Sequence, residues 1–292
     1  VAMRWVVVLT APAKRGLALD DVAAIAGILG QGGLEPRWLG AAAAEIACDD
    51  RPDPAVLRAA RPGIDINVVP AKQRRKRILI ADMDSTMIPV ECIDEIADYA
   101  GVKSEVAGIT ERAMAGEIDF EGALRARLAL IKGLPERVLA QVFAERINLN
   151  PGARVLVRTM AANGAHTVLV SGGFSYFTQR VAAAAGFAEH RANHLLFEDG
   201  ALSGKVAEPI LGRAAKLQAL IEIAGQLDVG TDAALAVGDG ANDISMVEAA
   251  GMGVAYHAKP ALEDRADAVI RHSDLTALLH LQSYREDEFR RD

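Results

Sequence analysis

From residue 151 onward, short apolar runs alternate with amphipathic helical segments, and no other feature limits the fold so tightly. Segments 152–163, 174–186, 212–225 and 243–250 repeat apolar residues at helical spacing. Between and beyond them, 166–170 (HTVLV), 234–238 and 252–256 read as short buried strands, and 77–82 reads as one more. A hairpin over 193–206, turning at Asp199-Gly200, is the one interruption. Strands that alternate with helices build a parallel, doubly wound α/β sheet. Such a sheet binds ligands beyond the carboxyl ends of its strands, so the residues that follow each apolar run become the candidates for chemistry.

Two further regions flank or interrupt this pattern. Residues 1–75 read as a small α/β unit, with a strand at 4–8, a helix at 19–30 capped by Asp20 or Asp21, an extended stretch at 36–48, a helix at 53–61 and a strand at 63–69. Pro70 and the basic run Lys72 to Arg77, "KQRRKR", end the unit, and the run is expected to be a solvated linker. No catalytic constellation is visible before it. From Cys92 to Leu149 nearly everything is helical, with Gly101, Gly116 and Gly133 where helices should stop. The expected division is therefore an N-terminal unit over 1–75, a core made of 76–89 and 151–292, and a helical insert over 90–150. A chain of 292 residues can support it.

Composition removes several classes of function. A net charge of −7 disfavours non-specific nucleic-acid binding. No apolar run approaches the ~18 residues of a membrane span, and "VAMRWVVVLT" reads as a strand rather than a signal peptide, which leads to the expectation of a cytoplasmic protein. Cys48 and Cys92 are the only cysteines and form no paired metal motif, so both are expected to be reduced and structural.

Three strand ends carry polar, small-residue segments: Asp82-Met83-Asp84-Ser85-Thr86, Ser171-Gly172-Gly173 and Asp239-Gly240-Ala241-Asn242-Asp243. On one sheet edge they converge, and four carboxylates would then crowd one small volume. A hard divalent cation relieves that repulsion, and Mg²⁺ suits a site of few carboxylates and an incoming phosphate. Asp243 has a plainer alternative as the N-cap of helix 243–250, and Asp239 as a turn residue. An EF-hand does not fit, because the loop lacks glycine at the sixth position and a bidentate acid at the twelfth. Ser171-Gly172-Gly173 before a helix can cradle a phosphate with a hydroxyl, backbone N–H groups and a helix N-terminus. No nucleotide-binding glycine loop is present. Lys216 is a candidate point charge for that phosphate, or else a surface lysine lying along its helix. In helix 119–131 the apolar residues Phe120, Leu124, Leu128 and Ile131 share one stripe, with Arg127 inside it and Arg125 off it. A guanidinium there needs a partner, which could be an acid on a neighbouring helix, a helix C-terminus or the carboxylate of a ligand.

The segments "DMDSTMI", "VSGGF" and "VGDGANDISM", with a lysine between the last two, resemble in order and spacing the motifs of the haloacid dehalogenase superfamily. "DSTMIPVE" and "RAMAGEIDFEGALRARLALIKGLP" are similar to its phosphoserine phosphatases, and the resemblance covers about residues 75–282. It implies hydrolysis of O-phospho-L-serine, the last step of serine biosynthesis, through an aspartyl-phosphate. Asp82 matches the nucleophile and Asp84 the acid/base. Glu91, Met114, Phe120 and Arg127 match substrate-pocket positions, with the arginine gripping the substrate carboxylate. Ser171 and Gly172, with Gly173 in support, match the phosphate loop, and Lys216 the phosphate-stabilising lysine. Asn242 and Asp243 match residues that support the metal site. The resemblance implies Mg²⁺ held by Asp82, Asp239 and the backbone carbonyl of Asp84. The insert corresponds to a cap domain, and residues 1–75 loosely resemble an ACT-like unit. Phosphoserine as a small-molecule substrate, serine as a feedback ligand and a homodimer are compatible with this resemblance; nucleic acid and membrane are not expected as partners. A phosphotransferase using phosphoserine as donor, or an amino-acid-sensing regulator, are the alternatives.

Overall fold

The computed structural model describes residues 4–30, 35–114 and 117–291, so that Gly116, one of the expected helix stops, lies outside the described residues. The N-terminal unit contains β1 (Trp5–Thr10), α1 (Leu19–Ile28), β2 (Arg37–Gly40), β3 (Ala43–Cys48), α2 (Pro54–Ala60) and β4 (Asp65–Pro70). Its antiparallel sheet has the order β2-β3-β1-β4. Alternation decides its two faces. Val7, Leu9, Ile46 and Ile66 turn toward α1 and α2, whereas Val6, Val8 and Val69 join the large core of the rest of the chain. Neither Asp20 nor Asp21 caps α1. Ala18 holds the cap position, and Asp21 reaches back from the first turn to accept the Ala18 N–H at 3.2 Å.

The core begins with β5 (Ile78–Ala81) and then leaves for the insert, made of α3 (Cys92–Ala100), α4 (Lys103–Met114), α5 (Phe120–Leu130) and α6 (Arg137–Arg146). It resumes with α7 (Ala153–Ala162), β6 (His166–Phe174), α8 (Ser175–Ala185), β7 (Glu189–Asn193), the hairpin β8 (Leu195–Glu198) and β9 (Ala201–Val206), and α9 (Arg213–Gln226). β10 (Ala234–Gly238), α10 (Ile244–Ala249), β11 (Met252–Tyr256), α11 (Pro260–Glu263), β12 (Ala268–Ile270) and α12 (Ala277–Leu281) complete it. The six strands lie in the order β12-β11-β10-β5-β6-β7, and every ladder is parallel. Helices cover both faces, so the strands read as continuous apolar runs. Ile78, Ile80, Val168 and Ala236 point toward α9 and α10, while Leu79, Ala81, Leu169 and Val237 point to the face that α7, α8 and α12 cover. Each fully buried Leu or Ile contributes about 1.5–3 kcal/mol. Among the described residues no helix is long and apolar enough to cross a membrane.

Two features position the site. The chain steps from β5 outward to β6 and β7, then returns to the other side of β5 as β10, which makes the β5 edge a topological switch point. The two crossings into the insert are tied together: Asn150 donates its backbone N–H to the Met87 carbonyl and its side-chain amide to the Thr86 carbonyl, both at 2.8 Å.

The basic run is exposed at Lys72, Gln73, Arg75 and Arg77, as expected of a solvated linker, but not at Arg74. Arg74 is buried, with Nη1 on Glu45 Oε2 at 2.7 Å, Nε on the Leu281 carbonyl at 2.8 Å and Nη2 on the His280 carbonyl at 3.0 Å. Buried charge demands such pairing, and here it fastens the linker between the N-terminal sheet and α12. Elsewhere in the same seam, the Asp65 carboxylate accepts the N–H groups of Arg271, His272 and Ser273, and the Asn67 amide bonds both the N–H and the carbonyl of Val269 on β12. The outer edge of that short strand is thereby covered.

Candidate active site

Parallel register brings the three polar segments to one place. Ala81 stands beside Val237 on one side and Leu169 on the other, so Asp82, Ser171 and Asp239 follow within one or two residues of the same level. Asp82 is buried; its Oδ1 accepts the Met83 N–H at 2.7 Å, its Oδ2 lies 2.7 Å from Lys216 Nζ, and Asn242 reaches that oxygen only at 3.5 Å. Lys216 is 2% exposed, which excludes the surface-lysine reading, and it also holds Asp243 Oδ1 at 2.6 Å. Asp243 caps nothing in its own helix. Its other oxygen turns back to accept the N–H groups of Asp239 and Gly240, at 3.1 and 3.2 Å. This return requires Gly238, where a Cβ would stand 2.3 Å from the Asp243 carboxyl carbon.

Electrostatics separates the carboxylates. Burial, then Asp243, pushes Asp82 up, and Lys216 opposes the shift. Burial works against the charge on Lys216, but Asp82 and Asp243 override it and hold the ammonium protonated. Asp84 lies one turn of loop away, with Oδ1 on the Cys92 N–H at 3.0 Å and Oδ2 facing the Ser171 hydroxyl at 3.3 Å. Burial, then Glu91, raises it to about 7, so it can hold or release a proton near neutrality. Asp239 is raised to about 6 by burial, then by Asp243 and Glu91.

The oxygens of Asp82, Asp239 and Asp243 lie within 4.8 Å of one another. One lysine answers two of these carboxylates, and both oxygens of Asp243 are already bonded. Among the described residues the Asp239 carboxylate has no hydrogen bond or ion pair. An uncompensated acid beside Asp82 fits a hard cation with oxygen ligands, with Asp243 behind the site and not in it.

Ser171 Oγ accepts the Gly173 N–H at 2.8 Å, and a Cβ on Gly173 would lie 2.8 Å from Asp84 Oδ2. Asn193, which no sequence pattern singled out, holds this loop in place. Its amide donates to the Gly172 carbonyl at 2.9 Å and exchanges two bonds with Leu211. Only recognition of β7 could have found it, since it closes that strand.

A cleft of about 480 Å³ runs from these strand ends to the insert. Phe120, Arg127 and Glu91 line it, as do Asp94, Thr110 and Lys259, which the sequence did not mark. Glu91 is exposed and accepts from the Ser85 hydroxyl at 2.7 Å. Arg127 is half-buried and among the described residues makes one side-chain hydrogen bond, to the Ala123 carbonyl of its own helix at 3.3 Å. Among the described residues no carboxylate pairs with it, whereas Arg125 turns outward to Glu121 and Glu208. Burial lowers the Arg127 guanidinium while Asp94, Glu91 and Asp84 raise it; it stays charged. Met114 ends α4, and its side chain lies outside the described residues.

Comparison with known proteins agrees with this geometry. A phosphoserine phosphatase of Polaromonas sp. is 43% identical over 227 residues, which are 75% of this chain and 96% of the relative. The solved HAD-family hydrolase of Salmonella enterica serovar Typhi superposes with a TM-score of 0.85 at 29% identity, covering 95% of this chain and 98% of its own. The structure of a phospho-aspartyl intermediate analogue of a phosphoserine phosphatase gives 0.66 at 38% identity, covering 70% of this chain and 98% of its own. The family model for haloacid dehalogenase-like hydrolases matches residues 79–248, from the strand that carries Asp82 to the helix behind Asp243. Fold, polar cluster and sequence thus meet over the same residues, and the chain belongs to the haloacid dehalogenase-like hydrolases.

Proposed function

We propose that the chain hydrolyses O-phospho-L-serine to L-serine and phosphate, with Asp82 as nucleophile. The observation that carries this reading is the Arg127 guanidinium, which has no carboxylate partner among the described residues and lines the same cleft as Asp82 and Asp84. A phosphate monoester that also bears a carboxylate satisfies both ends of the cleft, and the phosphoserine phosphatase relatives support that choice of substrate.

In the proposed reaction an Asp82 oxygen attacks phosphorus as the P–O bond to serine breaks, and protonated Asp84 gives its proton to the departing seryl oxygen. A water then attacks the phosphorus of the acyl-phosphate, Asp84 takes its proton, and phosphate leaves with Asp82 restored. Ser171 and the N–H groups after it suit the phosphoryl oxygens, and Lys216 holds positive charge beside the attacked group. Mg²⁺, held by Asp82, Asp239 and the Asp84 carbonyl, would neutralise charge on the phosphoryl oxygens. Glu91 is supported as the group near the substrate ammonium by its place in the cleft lining, and the insert as the cap that excludes water. A cytoplasmic setting is part of the proposal and is supported by two buried, unpaired thiols, Cys48 and Cys92.

The test is phosphate release with Mg²⁺ from phosphoserine, phosphothreonine, phosphotyrosine and sugar phosphates. Preference for phosphoserine, with serine and phosphate formed mole for mole, is expected. A shortfall of phosphate made up by a phosphorylated added alcohol would replace hydrolysis with transfer.

A further inference from the structure

A second cleft, of about 600 Å³, lies where the N-terminal unit meets the crossings into the insert. Lys14, in the loop after β1, forms one wall, and Ser85 and Asn150 bring in both crossings. The end of β11 adds Tyr256, and the turn after β12 adds His272 and Asp274. Ser85 lines the Asp82 cleft as well, so one residue borders both spaces.

The polar groups here are unevenly engaged. Asp274, the one carboxylate among the described residues of the lining, accepts at Oδ1 from the Thr276 N–H at 2.8 Å and from the Thr276 hydroxyl at 2.5 Å. His257, also in the lining, has its Nε2 3.0 Å from the Ser273 carbonyl, whereas neither the Lys14 ammonium nor the His272 ring makes a hydrogen bond or an ion pair among the described residues. The Tyr256 ring is buried, but its hydroxyl opens to the cleft and is likewise without a hydrogen-bond partner among the described residues. Burial, then Asp274 and Asp65, pushes that hydroxyl up to about 12, so it remains a donor.

We propose that this cleft binds a small anion, a carboxylate or a phosphate, that bridges the N-terminal unit to the crossings of the insert. Lys14 supplies the charge, and Tyr256 and His272 supply directed donors. Because Asn150 ties the two crossings together and Ser85 holds Glu91 at the first cleft, an anion seated here favours one position of the insert over others.

The experiment uses the full chain and two probes, inorganic phosphate and malonate, each titrated while the imidazole NMR signals of His257 and His272 are followed. His257→Gln and His272→Gln variants assign those signals. Saturable shifts are expected in the unaltered chain, weakened about tenfold or more in Lys14→Glu or Tyr256→Phe. Saturation by one probe alone identifies the class of anion and supports the proposal, as does saturation by both. No saturable shift with either probe, or unchanged affinity in both variants, overturns it. Lys14 is exposed, so its variant tests binding without disturbing the core. The readout does not depend on which phosphate ester the enzyme hydrolyses.

Discussion

Arg74 and Arg127 both carry a guanidinium into apolar surroundings, and the fold treats them in opposite ways. At the seam between the N-terminal unit and the core, Arg74 meets one carboxylate and two backbone carbonyls, all within 3.0 Å. In the cleft, Arg127 has, among the described residues, a single long bond to its own helix. The first arrangement is complete without a ligand and fixes how two parts of the chain sit together. The second leaves donors pointing into a space that a carboxylate can fill. Local rules are broken in one region and satisfied in the other, and such breaks concentrate where a protein acts.

The comparison is tested most severely at the group opposite Arg127. Asp82→Asn removes the proposed nucleophile but keeps the shape of the side chain. Turnover of phosphoserine should fall by about four orders of magnitude or more, while the thermal midpoint stays within a few degrees of the parent. A rate within tenfold of the parent would move the chemistry to another residue. Arg74→Met should do the reverse. Glu45 keeps Arg37 as a partner, but two carbonyls lose theirs, and the stability loss in urea unfolding should be about 3 kcal/mol. Its kcat on folded enzyme should be unchanged. An unaltered unfolding midpoint would mean that the seam is organised without this arginine.

Arg127→Ala sharpens the contrast from the other side. Loss of a charge-assisted grip on a carboxylate corresponds to about 10- to 100-fold in kcat/KM on phosphoserine. A phosphate monoester without a carboxylate should be turned over almost as before, and folding stability should change little, because the bond lost is a long one to the Ala123 carbonyl of the same helix. Equal losses on both substrates would remove the clamp from the mechanism.

What the sequence reveals follows the reach of the interactions involved. Buried parallel strands are continuous apolar runs, so "ILIA", "HTVLV" and "ALAVG" are legible, and with them the sheet edge where Asp82, Ser171 and Asp239 gather. β7 is not, because an edge strand reading "EHRAN" carries little apolar signal, and with it Asn193 stays hidden. β12 has three residues and is covered at its edge by an asparagine side chain some two hundred residues away. Arg74 looked solvated for the same reason: its partners at 280 and 281 lie far along the chain. Helical periodicity did separate Arg127 from Arg125, but whether an acid answered Arg127 depended on packing between helices. Asp243 occupies the cap position that sequence rules give it, yet its side chain serves Lys216 and the turn before it.

The smallest effect concerns Asp239, whose charge, like that of Arg127, has no ion-pair partner among the described residues. Its folded carboxyl titrates at about 6, above the ordinary 3.8. The folded chain therefore binds this proton more tightly than the unfolded chain. The stability it contributes is present below the unfolded value near 3.8 and is lost as pH rises through about 6. At pH 7.5 without divalent cations the ionised carboxylate is a liability, and Asp239→Asn should raise stability by about 1–2 kcal/mol. Near pH 4 the gain should vanish, since the parent is then protonated. Added Mg²⁺ should raise the thermal midpoint of the parent at pH 7.5 and leave that of the variant in place. If the variant responds to Mg²⁺ as fully as the parent does, the cation is held by other groups, and the excess charge at Asp239 has another cause.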